Sequence, residues 1–97
     1  MGCPATTSGT KSADGIIFAG PVKLKGVLLN ADGTNAATAV LYNNASAASG
    51  TVVAKLQVDA GLVYESYSID DGVMCTNGLY LDITGTGAEC IVHFEPA

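Results

Sequence analysis

Between Asn77 and Glu95 the sequence NGLYLDITGTGAECIVHFE alternates apolar and polar residues on both sides of a Gly-Thr-Gly. Leu79, Leu81 and Ile83 alternate with Tyr80, Asp82 and Thr84; Cys90, Val92 and Phe94 alternate with Glu89, Ile91 and His93. A period of two is that of a strand with one buried face, not of a helix. With Thr86 and Gly87 at the turn centre, the pattern predicts a hairpin in which Leu79 faces Phe94, Leu81 faces Val92 and Ile83 faces Cys90. A slip of one residue would turn one strand's apolar set to water, so the alternation sets the register.

The preceding chain reads as further short strands separated by turn residues. Met1 to Asp14 is rich in Thr, Ser, Ala and Gly and has no period; it is expected to be an irregular N-terminal arm, with the domain proper over 15–97. Ile16-Ile17-Phe18 predicts a first strand ending at Gly20-Pro21. In Val22 to Asn30, strict alternation places Val22, Leu24, Gly26 and Leu28 on one face and Lys23, Lys25, Val27 and Leu29 on the other. Gly26 inside this pattern marks a bulge or a close backbone approach. Asp32-Gly33 is a hairpin-type turn signal. Ala37 to Asn43, Thr51 to Asp59, Leu62 to Ile69 and Val73 to Thr76 follow as strands, the last two divided by an Asp70-Asp71-Gly72 turn. Seven to eight short strands and no sustained helical period predict an all-β fold, a small antiparallel β-sandwich of jelly-roll-like type.

Charge narrows the function. Four Lys and no Arg stand against nine acidic residues, a net charge of −5. A nucleic-acid backbone requires clustered basic side chains, so no nucleic-acid partner is expected. No apolar run approaches the length of a membrane span, and no membrane association is expected. Charged residues are only 13% of the chain, about half the usual ~25%, which implies that part of the surface is covered by a partner or by other copies. Met1 leads into a polar stretch rather than an apolar signal core, which points to synthesis in a cytoplasm with reduced thiols. Cys90 reads as a core residue; Cys75 has Cys3 or Cys90 as possible neighbours, and sequence does not choose between them.

No catalytic constellation is visible. His93 is the one histidine, outward on the predicted hairpin, with no nucleophile motif nearby. There is no GxSxG elbow, GxGxxG or P-loop. Asp70 and Asp71 are adjacent and so point to opposite faces of a strand. Asn30, Asp32 and Asn35 lack the full calcium-loop spacing. The expectation is therefore no enzyme, no cofactor and no metal.

The run GPVKLKGVLLNADGTNAATAVLYNNASAASGTVVAKL, followed by NGLYLDITGTGAECIVHFE, resembles small β-sandwich virion proteins of tailed bacteriophages over roughly Gly20 to Glu95. The resemblance rests on the LYNN strand end, the loop that follows it and the Asn77–Gly87 segment NGLYLDITGTG, all structural motifs. It implies a protein that decorates or cements the capsid, made in the host cytoplasm and located on the virion surface, with the major capsid protein as partner. A glycan-binding, fibre or neck module used in host adsorption is the alternative. Self-association is also expected, a homotrimer first. The expected interface is two outward apolar faces, Lys23, Val27 and Leu29 on one strand and Tyr80, Ile91 and His93 on the C-terminal hairpin.

Overall fold

The computed structural model describes residues 6–96. Eight strands run β1 Thr6–Lys11, β2 Gly15–Ala19, β3 Val22–Asn30, β4 Ala37–Tyr42, β5 Val52–Val58, β6 Tyr64–Cys75, β7 Gly78–Thr84 and β8 Glu89–Pro96. They form two four-stranded antiparallel sheets, in the order β1-β8-β3-β6 (sheet A) and β2-β7-β4-β5 (sheet B). This order is that of an eight-stranded jelly roll. Of the consecutive strands only β4 and β5 are paired neighbours; every other connection carries the chain from one sheet to the other.

The predicted C-terminal hairpin is corrected by this topology. β7 pairs with β2 and β4 in sheet B, whereas β8 pairs with β1 and β3 in sheet A. The alternation itself holds: Leu79, Leu81, Cys90, Val92 and Phe94 are all buried. They are buried from opposite walls of one core, an arrangement with the same period as a hairpin. The Asp32-Gly33 turn is also a crossover between sheets. Asp32 does not adopt the positive φ that a type I′ hairpin turn requires; Gly33 does, at 88°. Instead, the Asp32 Oδ1 accepts from the backbone N–H groups of Thr34 and Asn35 at 2.9 and 2.7 Å.

β3 is where strict alternation fails. Its pairings with both neighbours shift between Leu24 and Gly26, so the strand carries a bulge at the glycine. One extra residue reverses the parity of everything after it. Val22 and Leu24 point inward as expected, but beyond the bulge Val27 (3% exposed) and Leu29 (0%) are core, and Leu28 is half-buried on the outside.

Two further expectations change. Thr6–Lys11, assigned to an irregular arm, is the edge strand beside β8, with a bulge between Thr7 and Thr10. Inside that bulge the Ser8 Oγ accepts from Val92 N at 2.9 Å, doing what a ladder carbonyl would do. The Met1–Ala5 part of the arm lies outside the described residues. The segments either side of Asp70-Asp71-Gly72 are one strand, β6, and residues 69–72 bulge between its Ser68 and Val73 pairings with β3.

The core between the sheets is aliphatic, with Leu24, Leu29, Leu41, Leu79 and Leu81 wholly buried. Phe18 and Phe94 meet at its rim with ring centroids 5.7 Å apart. No polar or charged residue is buried among the described residues. Burial of apolar surface thus holds the sheets together, at about 1.5–3 kcal/mol for each large side chain.

Candidate functional site

The six residues expected at an interface separate into three places. Val27 and Leu29 are core, for the bulge reason given above, and are no part of a surface. Lys23, Ile91 and His93 lie on the outer face of sheet A. There Ile91 sits opposite Leu28, both half-buried, and exposed His93 sits opposite Gly26. Tyr80 is on the outer face of sheet B, on the other side of the molecule. The cluster of Tyr80 with Ile91 and His93 depended on the hairpin and does not form.

Tyr80 has other company. It is paired with Ile16 on β2 and with Tyr42 on β4, and Tyr42 is paired with Val52 on β5. Ile16, Tyr80, Tyr42 and Val52 therefore make one row, in register, across the whole width of sheet B. Ile16 and Val52 at its two ends are 49% and 50% exposed, and the tyrosines are half-buried. The local sequence explains the ends. β2 shifts register between Ile16 and Phe18, and β5 shifts at Val53; in both places the following apolar residue, Ile17 or Val53, packs on the core. The two bulges turn Ile16 and Val52 outward.

Beyond this row the face becomes polar. Asp82 is paired with Val40, and Val40 with Lys55; next come Thr84, Thr38 and Gln57. Asp14 lies beside Asp82, its Oδ1 accepting from Ile83 N at 2.7 Å. Desolvation, with the negative charge of Asp14, raises the Asp82 pKa above the ordinary carboxylate value. Asp32, by contrast, is lowered by the backbone and side-chain N–H groups of Asn35 and the backbone N–H of Thr34. Its Oδ2 takes the Asn35 side-chain amide at 2.8 Å, so the turn's polar groups close on one another.

A second unusual region is β6 with the loop before it. Leu62, Val63, Tyr64, Tyr67 and Met74 are large apolar or aromatic residues 44–64% exposed. Glu65 and Tyr67 lie opposite buried Leu29 and Val27, hence on the inter-sheet side, yet both are exposed. A cleft of about 390 Å³ lies between β5 and β6 there, lined by Ala54, Leu56, Glu65 and Tyr67 among others. The sequence points to Tyr80 as an interface residue and to a strand carrying Tyr64 and Tyr67, but neither to the row nor to the exposed edge. A cross-strand row exists only once strand order is known. The broken alternation of Leu62-Val63-Tyr64 was the one available sign of the second.

Among the described residues no group of three or more His, Cys, Asp or Glu converges to hold a metal. Cys75 and Cys90 are buried free thiols. Burial raises both pKa values, that of Cys90 to about 11, and a protonated, buried thiol is a poor nucleophile. Native protein should therefore label slowly at both positions with a thiol reagent and rapidly once unfolded in denaturant. Mass mapping of the labelled peptides checks this, and fast native labelling of Cys90 would contradict its position. Cys3 lies outside the described residues.

Two surface features stand out among the described residues: an apolar row across sheet B and exposed apolar and aromatic side chains along β6. No family model matches the chain, and no curated protein or solved structure matches it.

Proposed function

We propose that this chain is a structural protein of a tailed-phage virion, of the capsid decoration type, which binds the assembled shell through the outer face of sheet B. The observation that carries the reading is the row Ile16, Tyr80, Tyr42 and Val52. Outward positions of an antiparallel sheet that faces water are ordinarily polar, and here an apolar row spans four strands. The low charge content and the resemblance in the Gly20–Glu95 region support the same reading. Binding energy alone would be the mechanism: the domain spans neighbouring major capsid subunits and adds contacts that oppose their separation.

The test is co-sedimentation with shells assembled from the major capsid protein of the same phage. Covering one large apolar side chain is worth about 1.5–3 kcal/mol, so Tyr80→Ser should weaken shell binding about tenfold or more. Ile16→Ser, made at a half-exposed position, should act in the same direction with the fold intact by far-UV circular dichroism. Wild-type binding by both variants would remove this face from the interface.

A second reading has one observation in its favour. Tyr80 is followed two residues on by Asp82, with Asp14 beside it, and a tyrosine face next to carboxylates is a composition suited to stacking and hydrogen-bonding a sugar ring. An adsorption module of this kind would bind glycans in the absence of shells, and a glycan array separates the two readings.

A further inference from the structure

Among the described residues β6 has one ladder neighbour, β3, and its other edge has a defined hydrogen-bond phase. Ala31 N donates to Val63 O at 2.7 Å, extending the ladder in which Tyr64, Glu65, Ser66, Tyr67 and Ser68 face Asn30, Leu29, Leu28, Val27 and Gly26. In an antiparallel pair, residues alternate between bonding the neighbour and turning away from it. Val63, Glu65 and Tyr67 thus direct their N–H and C=O toward β3, and Tyr64, Ser66 and Ser68 direct theirs to the open side.

The other three sheet edges carry features that discourage strand addition. β1 has its Thr7/Thr10 bulge and Lys11. β2 is a short strand with a bulge after Ile16. β5 has Lys55 and the Val53 bulge. Tyr64–Ser68 is regular and contains no Lys and no Pro. Its one protective feature is the inter-sheet charge of Glu65.

We infer that β6 is a self-pairing edge: the Tyr64–Ser68 stretch joins the same stretch of a second copy, antiparallel, about a two-fold axis through Ser66. The phase and the sequence select this axis. Centred there, Tyr64 bonds Ser68 of the second copy and Ser66 bonds its own counterpart, so every outward-turned group in the regular stretch is used. Glu65 falls opposite Tyr67 of the second copy, whose hydroxyl is a donor for the carboxylate. An axis at Glu65 would oppose two like charges, which is unfavourable. An axis at Tyr67 or Ser68 would run into the bulge at residues 69–72, and one at Tyr64 into the turn before the strand. The pairing joins two copies of sheet A and covers the exposed Tyr64 and Tyr67. A two-fold contact closes at two copies and does not build a trimer. It is independent of the shell-binding face on sheet B.

Sedimentation equilibrium over a range of concentrations tests the inference on the whole chain. Wild-type protein should show a dimer mass. Ser66→Pro should be monomeric with an unchanged far-UV spectrum, because the lost N–H points away from β3 and proline is tolerated at a sheet edge. In a Cys3→Ser background, Ser66→Cys should form a disulfide-linked dimer on mild oxidation. Directly opposed Cα atoms lie about 5.5 Å apart, within disulfide reach. Ser68→Cys should not cross-link, since its opposite residue is Tyr64. A wild-type monomer at every concentration, a trimer mass, or a dimer that survives Ser66→Pro would overturn the proposal. If Ser66→Pro fails to fold, the cross-linking pair decides: linkage at 66 but not 68 supports the axis, and any other pattern rejects it.

Discussion

Replacing Gly85 by Ala should lower the melting temperature by roughly 10 °C or more, since among the described glycines it is the one whose added Cβ would lie nearest to other backbone atoms. Gly85 has a φ of +125°, and a Cβ there would meet the carbonyl oxygen of Ala36 and come within 2.9 Å of Ala37 Cα. Those atoms are backbone at the end of the β3–β4 crossover and the start of β4, and cannot turn aside as a flexible side chain would. An unfavourable φ costs of order 1–3 kcal/mol and overpacking about 1–3 kcal/mol more. In a domain of this size each kcal/mol shifts the midpoint by about 4–8 °C. Gly33→Ala is the control. Its φ is +88° but a Cβ there meets nothing within 4 Å, so only the backbone part of the cost should remain. Thermal unfolding of the two variants side by side separates the effects, and equal losses would mean that the two crossovers do not pack as described.

Leu29→Ala should destabilise the fold by about 2–5 kcal/mol, as for other wholly buried leucines. Leu28→Ala should cost well under half as much, because Leu28 is half-buried on the outer face and Leu29 is 0% exposed. Strict alternation from Val22 predicts the reverse order. Denaturant titration of both variants therefore tests the bulge at Gly26 directly. A larger loss at Leu28 would place the bulge elsewhere.

These leucines show what the sequence made legible and what it did not. Alternation reports whether a side chain faces the core, and it marks β2 to β5, β7 and β8 and most of the core, with β6 appearing as two pieces. It does not report which wall of the core a strand belongs to. Leu79-Leu81 and Cys90-Val92 have the period of a hairpin and lie in different sheets, because a short Gly-rich connection can cross between sheets as well as reverse within one. Alternation also loses phase at a bulge. Gly26 signals one, but the glycine alone does not say that residues beyond it change sides, and strict alternation puts Val27 and Leu29 outside. The surface suffered most. The row through Tyr80 is assembled from four separate strands, and its members become neighbours only through pairings that no local pattern encodes. Thr6–Lys11 failed for a related reason: a polar edge strand held by a ladder and by the Ser8 hydroxyl has no apolar period to read.

The position of β8 bears on how the protein is made. It lies between β1 and β3 in sheet A, yet it leaves the ribosome after every strand it must join. Until then β1 has no neighbour, and β3 exposes one side of its ladder along with the apolar face that ends in Leu29. Only the β4–β5 hairpin can form from residues close in sequence; the other pairings must wait for loops of many residues to close, which slows folding. Nascent copies crowded on one message would carry unpaired β3 edges at high local concentration, a condition that favours aggregation. Sheet A is therefore completed last, and the unpaired edges of β1 and β3 persist until β8 is made.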